Sequence, residues 1–545
     1  MPVKVSYPGV YIEELPSGVH TITGVATSIT AFIGPAVRGP VNTPIPINSF
    51  VDYDRAFGGL SNSSMMSFAV NDFYQNGGSQ GVIVRIAGQD ASAAFVNLAP
   101  DTAASPAAGP NEDLVLDAAN VGAWGKQLGV IVDHKTKSPN DSTLFNLTIQ
   151  LTNPLTGQIQ SQEKFLNLSV DPTSTRFVGT FLYQNSQLVN VPLQQSIDPP
   201  LDPSSYTVPG VRPAETVEWA SPPTSPPTQQ YFAEPFSGGS DGKALTENDV
   251  IGDQGNKTGI YALENTDLFN LLCIPPYDSG DVSVNVQVKA AAYCVARRAF
   301  YLMDPPSTWT SVLTALNSFS DFSANIGANG DHAALFFPQL VEANPLNDDQ
   351  LQSFVPCGAV AGIFARTDAQ RGVWKAPAGQ ETALTGVLQL KVPMTDPENG
   401  ELNPLGLNCL RSFPLIGRVV WGSRTLQGAD ALESQWKYIP VRRTALFIEE
   451  SLYRGTKWVV FEPNDETLWG QIRLNVGSFM QGLFRQGAFQ GSTPQTAYFV
   501  KCDGESTTQN DIDQGIVNII VGFAPLKPAE FVVIQIQQMA GQLQV

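Results

Sequence analysis

The 545-residue sequence is short of charge, histidine, cysteine and long apolar runs. Charged residues make up 15% of it, against about a quarter in an average soluble domain. The charge present leans acidic, 50 Asp+Glu against 31 Lys+Arg, a formal −19. A sequence-independent nucleic-acid binder needs a basic face to release counterions, so that class is disfavoured. Imidazole chemistry could draw on His20, His134 and His332 alone. Cys273, Cys294, Cys357, Cys409 and Cys502 include no two closer than 21 positions. That spacing excludes CxxC zinc ribbons and thioredoxin-like motifs, and the five read as small buried hydrophobes in a reducing cytosol. No H-E-x-x-H, EF-hand or Cys/His cluster occurs, so no metal or other cofactor is expected. No apolar run reaches the ~18 residues of a membrane span. Met1-Pro2-Val3-Lys4-Val5 shows no signal-peptide pattern either. What is abundant is hydrophobic residue, at 42%, enough for large ordered cores. At about 150 residues per domain the length suggests three or four domains.

The two ends share a pattern. Val3, Val5 and Tyr7 alternate with Lys4 and Ser6, and after Pro8-Gly9 a second short run holds Val10 and Ile12. Period-2 alternation marks a strand with one covered face. A strand at a terminus must pair with the body of its own fold or with another chain. The last residues repeat the pattern, with strands expected at 515–523 and at 530–537 around Val532, Ile534 and Ile536.

Between these ends, residues 25–95 alternate strand and helix and finish on the apolar run Gly81–Ile86, which suits a buried strand. Composition changes near residue 96. Residues 114–195 read as short strands, and residues 198–235 hold ten of the 41 prolines. Proline donates no ladder hydrogen bond, so this stretch reads as surface coil. Residues 96–235 are therefore expected to form a β-rich domain inserted into an α/β one. From 265 onward, strands at 268–274, 300–303 and 333–337 alternate with helices at 284–298, 307–319 and 357–371. Alternation at this spacing implies a largely parallel sheet covered by helices. Val441, Ala445, Ile448 and Leu452 line one helix face, and Leu468, Ile472, Val476, Phe479 and Leu483 line a second, with a strand expected at 458–461. The expected fold class is α/β (α+β), multi-domain.

Catalytic motifs fail on context. Gly77-Gly78-Ser79-Gln80-Gly81 matches the G-x-S-x-G nucleophile elbow, which needs a strand before the serine and a helix after it. Here a helix precedes and a strand follows, so a serine hydrolase using Ser79 is disfavoured. Ser237-Gly238-Gly239-Ser240-Asp241-Gly242-Lys243-Ala244 has serine and alanine where a P-loop needs glycine and a magnesium-binding hydroxyl. It reads as a domain-junction turn. Dense non-catalytic clusters remain around Arg366, Asp368, Arg371, Trp374 and Lys375, around Trp421 and Arg424, and at Arg442 and Arg443. Two readings stand side by side: a self-contained surface with Arg stacked on Trp, or an assembly interface, where both residue types are enriched.

Several ordered blocks together resemble contractile-tail sheath proteins. They are Tyr7-Pro8-Gly9-Val10-Tyr11-Ile12-Glu13-Glu14, Ala31-Phe32-Ile33-Gly34-Pro35, Ala365-Arg366-Thr367-Asp368 with Arg371-Gly372-Val373-Trp374-Lys375-Ala376-Pro377, Asn403-Pro404-Leu405-Gly406, Val420-Trp421-Gly422-Ser423-Arg424-Thr425-Leu426, and Phe461-Glu462-Pro463-Asn464. The resemblance covers residues 1–95 and 236–545, and residues 96–235 suit the variable outer domain of such proteins. It implies a structural subunit, not an enzyme, that stacks in hexameric rings around an inner tube with baseplate and terminator or cap proteins. Such a particle is assembled in the cytoplasm as a phage tail or a related injection system.

In that family the terminal arms, here 1–20 and 528–545, add strands to neighbouring subunits, with the sheath core at 21–95 and 236–527. Pro16-Ser17-Gly18 and Ala524–Pro528 are the expected hinges. The resemblance also points the helix at 466–486, or its neighbour at 441–453, towards the tube, with Arg473 and Arg485 as contacts. A static self-assembling shell or surface-layer protein is the alternative. The −19 implies repulsion between copies, so Arg366, Arg371, Lys375, Arg442 and Arg443 are expected to meet acidic surfaces on neighbours.

Overall fold

The structure, a computed structural model, describes residues 20–101, 113–138, 140–153, 157–193, 202–216, 234–278 and 280–535. The strand expected at Val3, Val5, Tyr7, Val10 and Ile12, the hinge at Pro16-Ser17-Gly18, and Ile536 lie outside these residues.

The centre is an eight-stranded sheet. Its spatial order is Gly417–Val420, Asn408–Phe413, Ala333–Phe337, Phe300–Met303, Leu271–Cys273, Thr30–Gly34, Gly81–Arg85 and Ile45–Ile47. Neighbours run parallel except at the two edges, where Gly417–Val420 and Ile45–Ile47 pair antiparallel. The strands Leu271–Cys273, Phe300–Met303 and Ala333–Phe337 are apolar throughout because both faces are covered. Ala31, Ile33, Leu272, Tyr301, Met303 and Leu335 point to one core, which the helices Val284–Arg297 and Val312–Ile326 complete. Phe32, Leu271, Cys273, Phe300, Leu302 and Phe336 point to the other, against Met65–Gln75, Cys357–Arg371 and Ile439–Gly455. The helix expected at 307–319 begins only at Val312. Residues 307–310 are taken up by a turn in which the Trp309 N–H donates to the Pro306 carbonyl at 3.1 Å, and the Ser311 hydroxyl accepts the Thr314 N–H at 3.2 Å as N-cap.

Two of the covering helices approach almost backbone to backbone. A Cβ on Gly358 would lie 2.0 Å from the Ala69 carbonyl oxygen, and one on Gly362 2.5 Å from that of Phe73. Glycine is required there by the close approach of the two helices.

Between residues 92 and 240 the chain builds two antiparallel four-stranded sheets, one centred on Ser92–Leu98 and Leu114–Ala118, the other on Leu128–Asp133 and Leu144–Thr152. They share a core of their own around Trp124, Phe145, Leu147 and Leu168. Val178–Asn185, inside the stretch read as strands, is a helix that buries Val178 and Leu182. Ser237–Ser240, read as a junction turn, is a strand paired antiparallel with Ser92–Leu98.

The C-terminal part sets the helix Glu466–Arg485 and the strand pair Tyr498–Lys501 and Ile520–Phe523 around Ile22, Ile448, Ile472, Val476 and Met480. Two expected strands are absent. Residues 457–459 form a single 3-10 turn between two helices, and Phe461 takes φ 72° with its side chain fully exposed. Val459-Val460-Phe461 has strand-like composition but sits at a helix-to-helix turn and pairs with no strand among the described residues. Residues 530–535 likewise form no strand. Phe531, Val532, Val533 and Ile534 are 75–82% exposed, without a partner strand among the described residues.

Candidate assembly interface

Three of the motif arginines, Arg424, Arg442 and Arg443, turn inward. Arg443, on the helix Ile439–Gly455, donates to both carboxylate oxygens of Asp368, on Cys357–Arg371, at 2.9 and 2.6 Å. Both side chains are 3% exposed. Arg443 also donates to the Thr27 carbonyl at 2.8 Å and lies over the Phe364 ring, so one guanidinium ties three segments together. Arg442 donates to His332 Nε2 at 2.6 Å, stacks on Trp436, and lies 3.8 Å from Asp331 and from Glu449.

Arg366 donates to the carbonyls of Ala383 and Glu381, and Lys375 to that of Ala376 at 2.9 Å. Burial pulls the Lys375 ammonium below its ordinary range. Arg371 pairs with Glu381 at the surface, 3.1 Å away. The expectation that these residues meet acids of neighbouring copies is therefore corrected for Arg442 and Arg443. Burying a guanidinium demands a partner at once, and the chain supplies its own.

Trp374 and Trp421 are local braces. Gly372 ends its helix at φ 88°, and a Cβ there would strike the Trp374 ring at 2.5 Å. Trp421 lies against Phe413 with ring centroids 4.6 Å apart. Arg424 is fully buried, and its bonds reach Glu530 and Asp430.

Of the two helices considered for an inner partner, Ile439–Gly455 is packed on the central sheet, with eleven buried residues. Glu466–Arg485 buries Leu468, Ile472, Val476, Met480 and Leu483 and presents Leu474, Ser478 and Arg485 outward. Leu474 is 58% exposed. Arg473 is bound to its own chain, at the Cys502 carbonyl and at Glu466 Oε1, 2.6 Å away. Arg485 is exposed and makes no ion pair among the described residues.

The strand pair Tyr498–Lys501 and Ile520–Phe523 stands apart from the larger sheets. Each strand pairs only with the other among the described residues, which leaves two open edges. Phe499 is 56% and Ile520 46% exposed. Unpaired edges of apolar strands are templates for strands from other chains.

Ser79 lies exposed in the turn between the helix Met65–Gln75 and the strand Gly81–Arg85. The cavity lined by Thr27, Asn270, Arg298, Phe300 and Arg443 has a volume of about 20 Å³, room for a water or two. Among the described residues no His/Cys/Asp/Glu cluster could hold a metal, and no helix is long and apolar enough to cross a membrane.

Sequence comparison matches residues 249–426 to the phage tail sheath protein central domain and residues 433–539 to the phage tail sheath C-terminal domain. Together the two models cover just over half of the chain. The tail sheath protein of Burkholderia phage BcepMu is 27% identical over 266 residues, 46% of this chain and 54% of that protein. That of Enterobacteria phage T4 is 26% identical over 203 residues, 37% of this chain and 29% of that protein. The chain thus matches about half or less of the length of these relatives. In fold it is similar to the sheath of an extracellular contractile injection system, the PVC sheath complex in its contracted state. That match has a TM-score of 0.56 at 21% identity and covers 98% of both chains. The two adjoining domain matches, the curated relatives and the full-length likeness in fold agree: this chain belongs to the phage tail sheath protein family.

Proposed function

We propose that the chain is the repeating subunit of a contractile sheath, stacked in hexameric rings around an inner tube and knitted to its neighbours by exchange of terminal strands. One observation carries this reading. Among the described residues the pair Tyr498–Lys501 and Ile520–Phe523 has two open edges, and the sequence has two strand-patterned ends, residues 1–20 and 528–545. One arm from each of two neighbours would complete a four-stranded sheet by β-augmentation. Backbone ladders suit a sheath that contracts, because they survive a swing of the subunit when the linking residues bend.

The residues between 96 and 235 would face outward, and the open face of Glu466–Arg485, with Leu474 and Arg485, would face the tube. Contraction would draw on burial between copies and not on a bound nucleotide. At ~25 cal/mol per Å², a few hundred Å² of extra apolar burial per subunit yields several kcal/mol, repeated along the tube. Baseplate and terminator proteins would bind the two ends of the stack.

The test is negative-stain microscopy of the chain co-expressed with the genes that flank its own. Striated tubes in two lengths support the reading. Assemblies of one fixed form would support a static shell instead. Arg485→Glu should release the tube from the sheath, and unchanged co-assembly of that variant would remove the tube-facing assignment.

A further inference from the structure

Arg424 has no exposed surface, and its partner in the chain is 106 residues away at the start of the C-terminal arm. Its Nε and Nη2 donate side by side to the two oxygens of Glu530, at 2.8 and 2.6 Å. The Tyr438 hydroxyl donates to Glu530 Oε2 at 3.2 Å. The remaining Nη1 serves the Gly428 carbonyl at 3.1 Å and Asp430 Oδ1 at 2.9 Å, and Lys437 holds Asp430 in place at 2.6 Å. A planar guanidinium gripping both oxygens of one carboxylate fixes orientation as well as distance.

The receiving side is built in advance. The backbone of Arg424 is held from both directions by Asn408 of the central sheet: its N–H donates to Asn408 Oδ1, and its carbonyl accepts from Asn408 Nδ2, each at 2.7 Å. Asn408 itself is fully buried. Arg424 is thus a fixture of the sheet, and Glu530 is the part that docks.

Upstream, the same segment is held at its other end. The Ala524 N–H donates to the Ala497 carbonyl at 2.8 Å, and the Ala524 carbonyl accepts from Gln490 at 2.9 Å. Pro525 and Pro528 restrict the backbone between the two attachments. One residue past Glu530 the character changes: Phe531 to Ile534 are 75–82% exposed and belong to no sheet among the described residues.

We propose that Arg424 and Tyr438 clasp Glu530 as the root of the C-terminal arm, so that residues 524–530 are a fixed strap of their own subunit and strand exchange with a second copy begins only after Glu530. This rests on the strand-exchange reading above, and it moves the bend from Ala524–Pro528 to the far side of Glu530. A neighbour pulling on the arm would then load the central sheet through Arg424 and Asn408, not the small strand pair alone. The motif Val420–Leu426 gains a mechanical task that its composition does not announce.

The test uses the full chain carrying a single nitroxide. The five native cysteines are buried, so a cysteine placed at exposed Ala529 or Ile534 is labelled selectively. Spectra of the unpolymerised chain should show a label at Ala529→Cys held nearly rigid and one at Ile534→Cys moving freely. Adding Glu530→Gln or Glu530→Ala should convert the Ala529 label to free motion and leave the Ile534 label as it was. Equal mobility at both positions in the unmodified background, or no response to either Glu530 change, overturns the clasp. Truncation after Phe531 separates the two readings. The clasp predicts that the Ala529 label stays rigid, and strand exchange predicts that the truncated chain fails to polymerise. Normal polymerisation with a rigid label would refute exchange by this arm and keep the clasp; a mobile label would refute the clasp.

Discussion

Replacing Asp368 with alanine would strip the only carboxylate partner among the described residues from a guanidinium that is itself 3% exposed. The Arg443–Thr27 hydrogen bond at 2.8 Å and the Phe364 ring would remain, but neither carries a countercharge. Removing one member of a buried ion pair costs about 3–5 kcal/mol, mostly as desolvation of the orphaned charge. At ~2–4 °C per kcal/mol for a large domain, the transition that unfolds the central sheet should fall by roughly 10 °C. Thermal melting followed by circular dichroism or calorimetry reads this directly. Asp368→Leu combined with Arg443→Met fills the site with apolar volume, and most of the lost stability should return, because the loss comes from the unpaired charge. A drop of less than about 1 kcal/mol in Asp368→Ala would refute the claim that this pair locks the two helices. A double variant no better than the single would show that geometry, not charge, was lost.

Acidity supplies a second set of outcomes. Burial pushes the Asp304 carboxyl up to about 7, and its Oδ2 has no hydrogen-bond partner among the described residues. Burial also raises Asp72 and Glu342; the Glu342 charge raises Asp72 further, while the hydrogen bond with Asp72 partly offsets the rise at Glu342. Groups that bind protons more tightly when folded stabilise the fold fully below their unfolded values, near 4, and lose that contribution as pH rises towards 7. The melting temperature should therefore fall between about pH 4.5 and 7.5. Asp304→Asn, which keeps an oxygen for the Cys357 N–H at 2.9 Å, and Glu342→Gln should each flatten that fall and raise stability at pH 8. A profile unchanged by either variant would contradict the assignment. Gly358→Ala should cost about 1–3 kcal/mol in denaturant melts, since its methyl would sit 2.0 Å from the Ala69 carbonyl. Cost-free substitution would mean that the two helices can part without loss.

The central sheet was legible because its signal is local. Phe300–Met303, Ala333–Phe337 and Cys357–Arg371 lie where the apolar runs and helical spacing put them. A strand covered on both faces needs only a continuous apolar run to announce itself. The misreading at 458–461 has a plain cause: composition reports a taste for extended backbone, but a strand also needs an edge to pair with. The loop before Glu466–Arg485 pairs with no strand among the described residues, and residues 530–535 find none among them either.

The arginine clusters were visible as motifs, yet their roles were not. Asp368 pairs with Arg443 across 75 residues and Arg424 with Glu530 across 106, distances over which spacing carries no information. The acidic excess keeps its meaning for assembly in reduced form. With Arg442 and Arg443 neutralised inside, exposed cations such as Arg371 and Arg485 are the ones left to face neighbours.

Strand exchange is tested most directly by a cryo-EM reconstruction of the polymerised chain at a resolution that traces backbone around Tyr498–Lys501 and Ile520–Phe523. It predicts a four-stranded sheet in which the two added strands come from two other copies, one contributing its N-terminal arm and one its C-terminal arm. A sheet that remains two-stranded in the polymer, or whose edges are filled by the termini of the same copy, would contradict it.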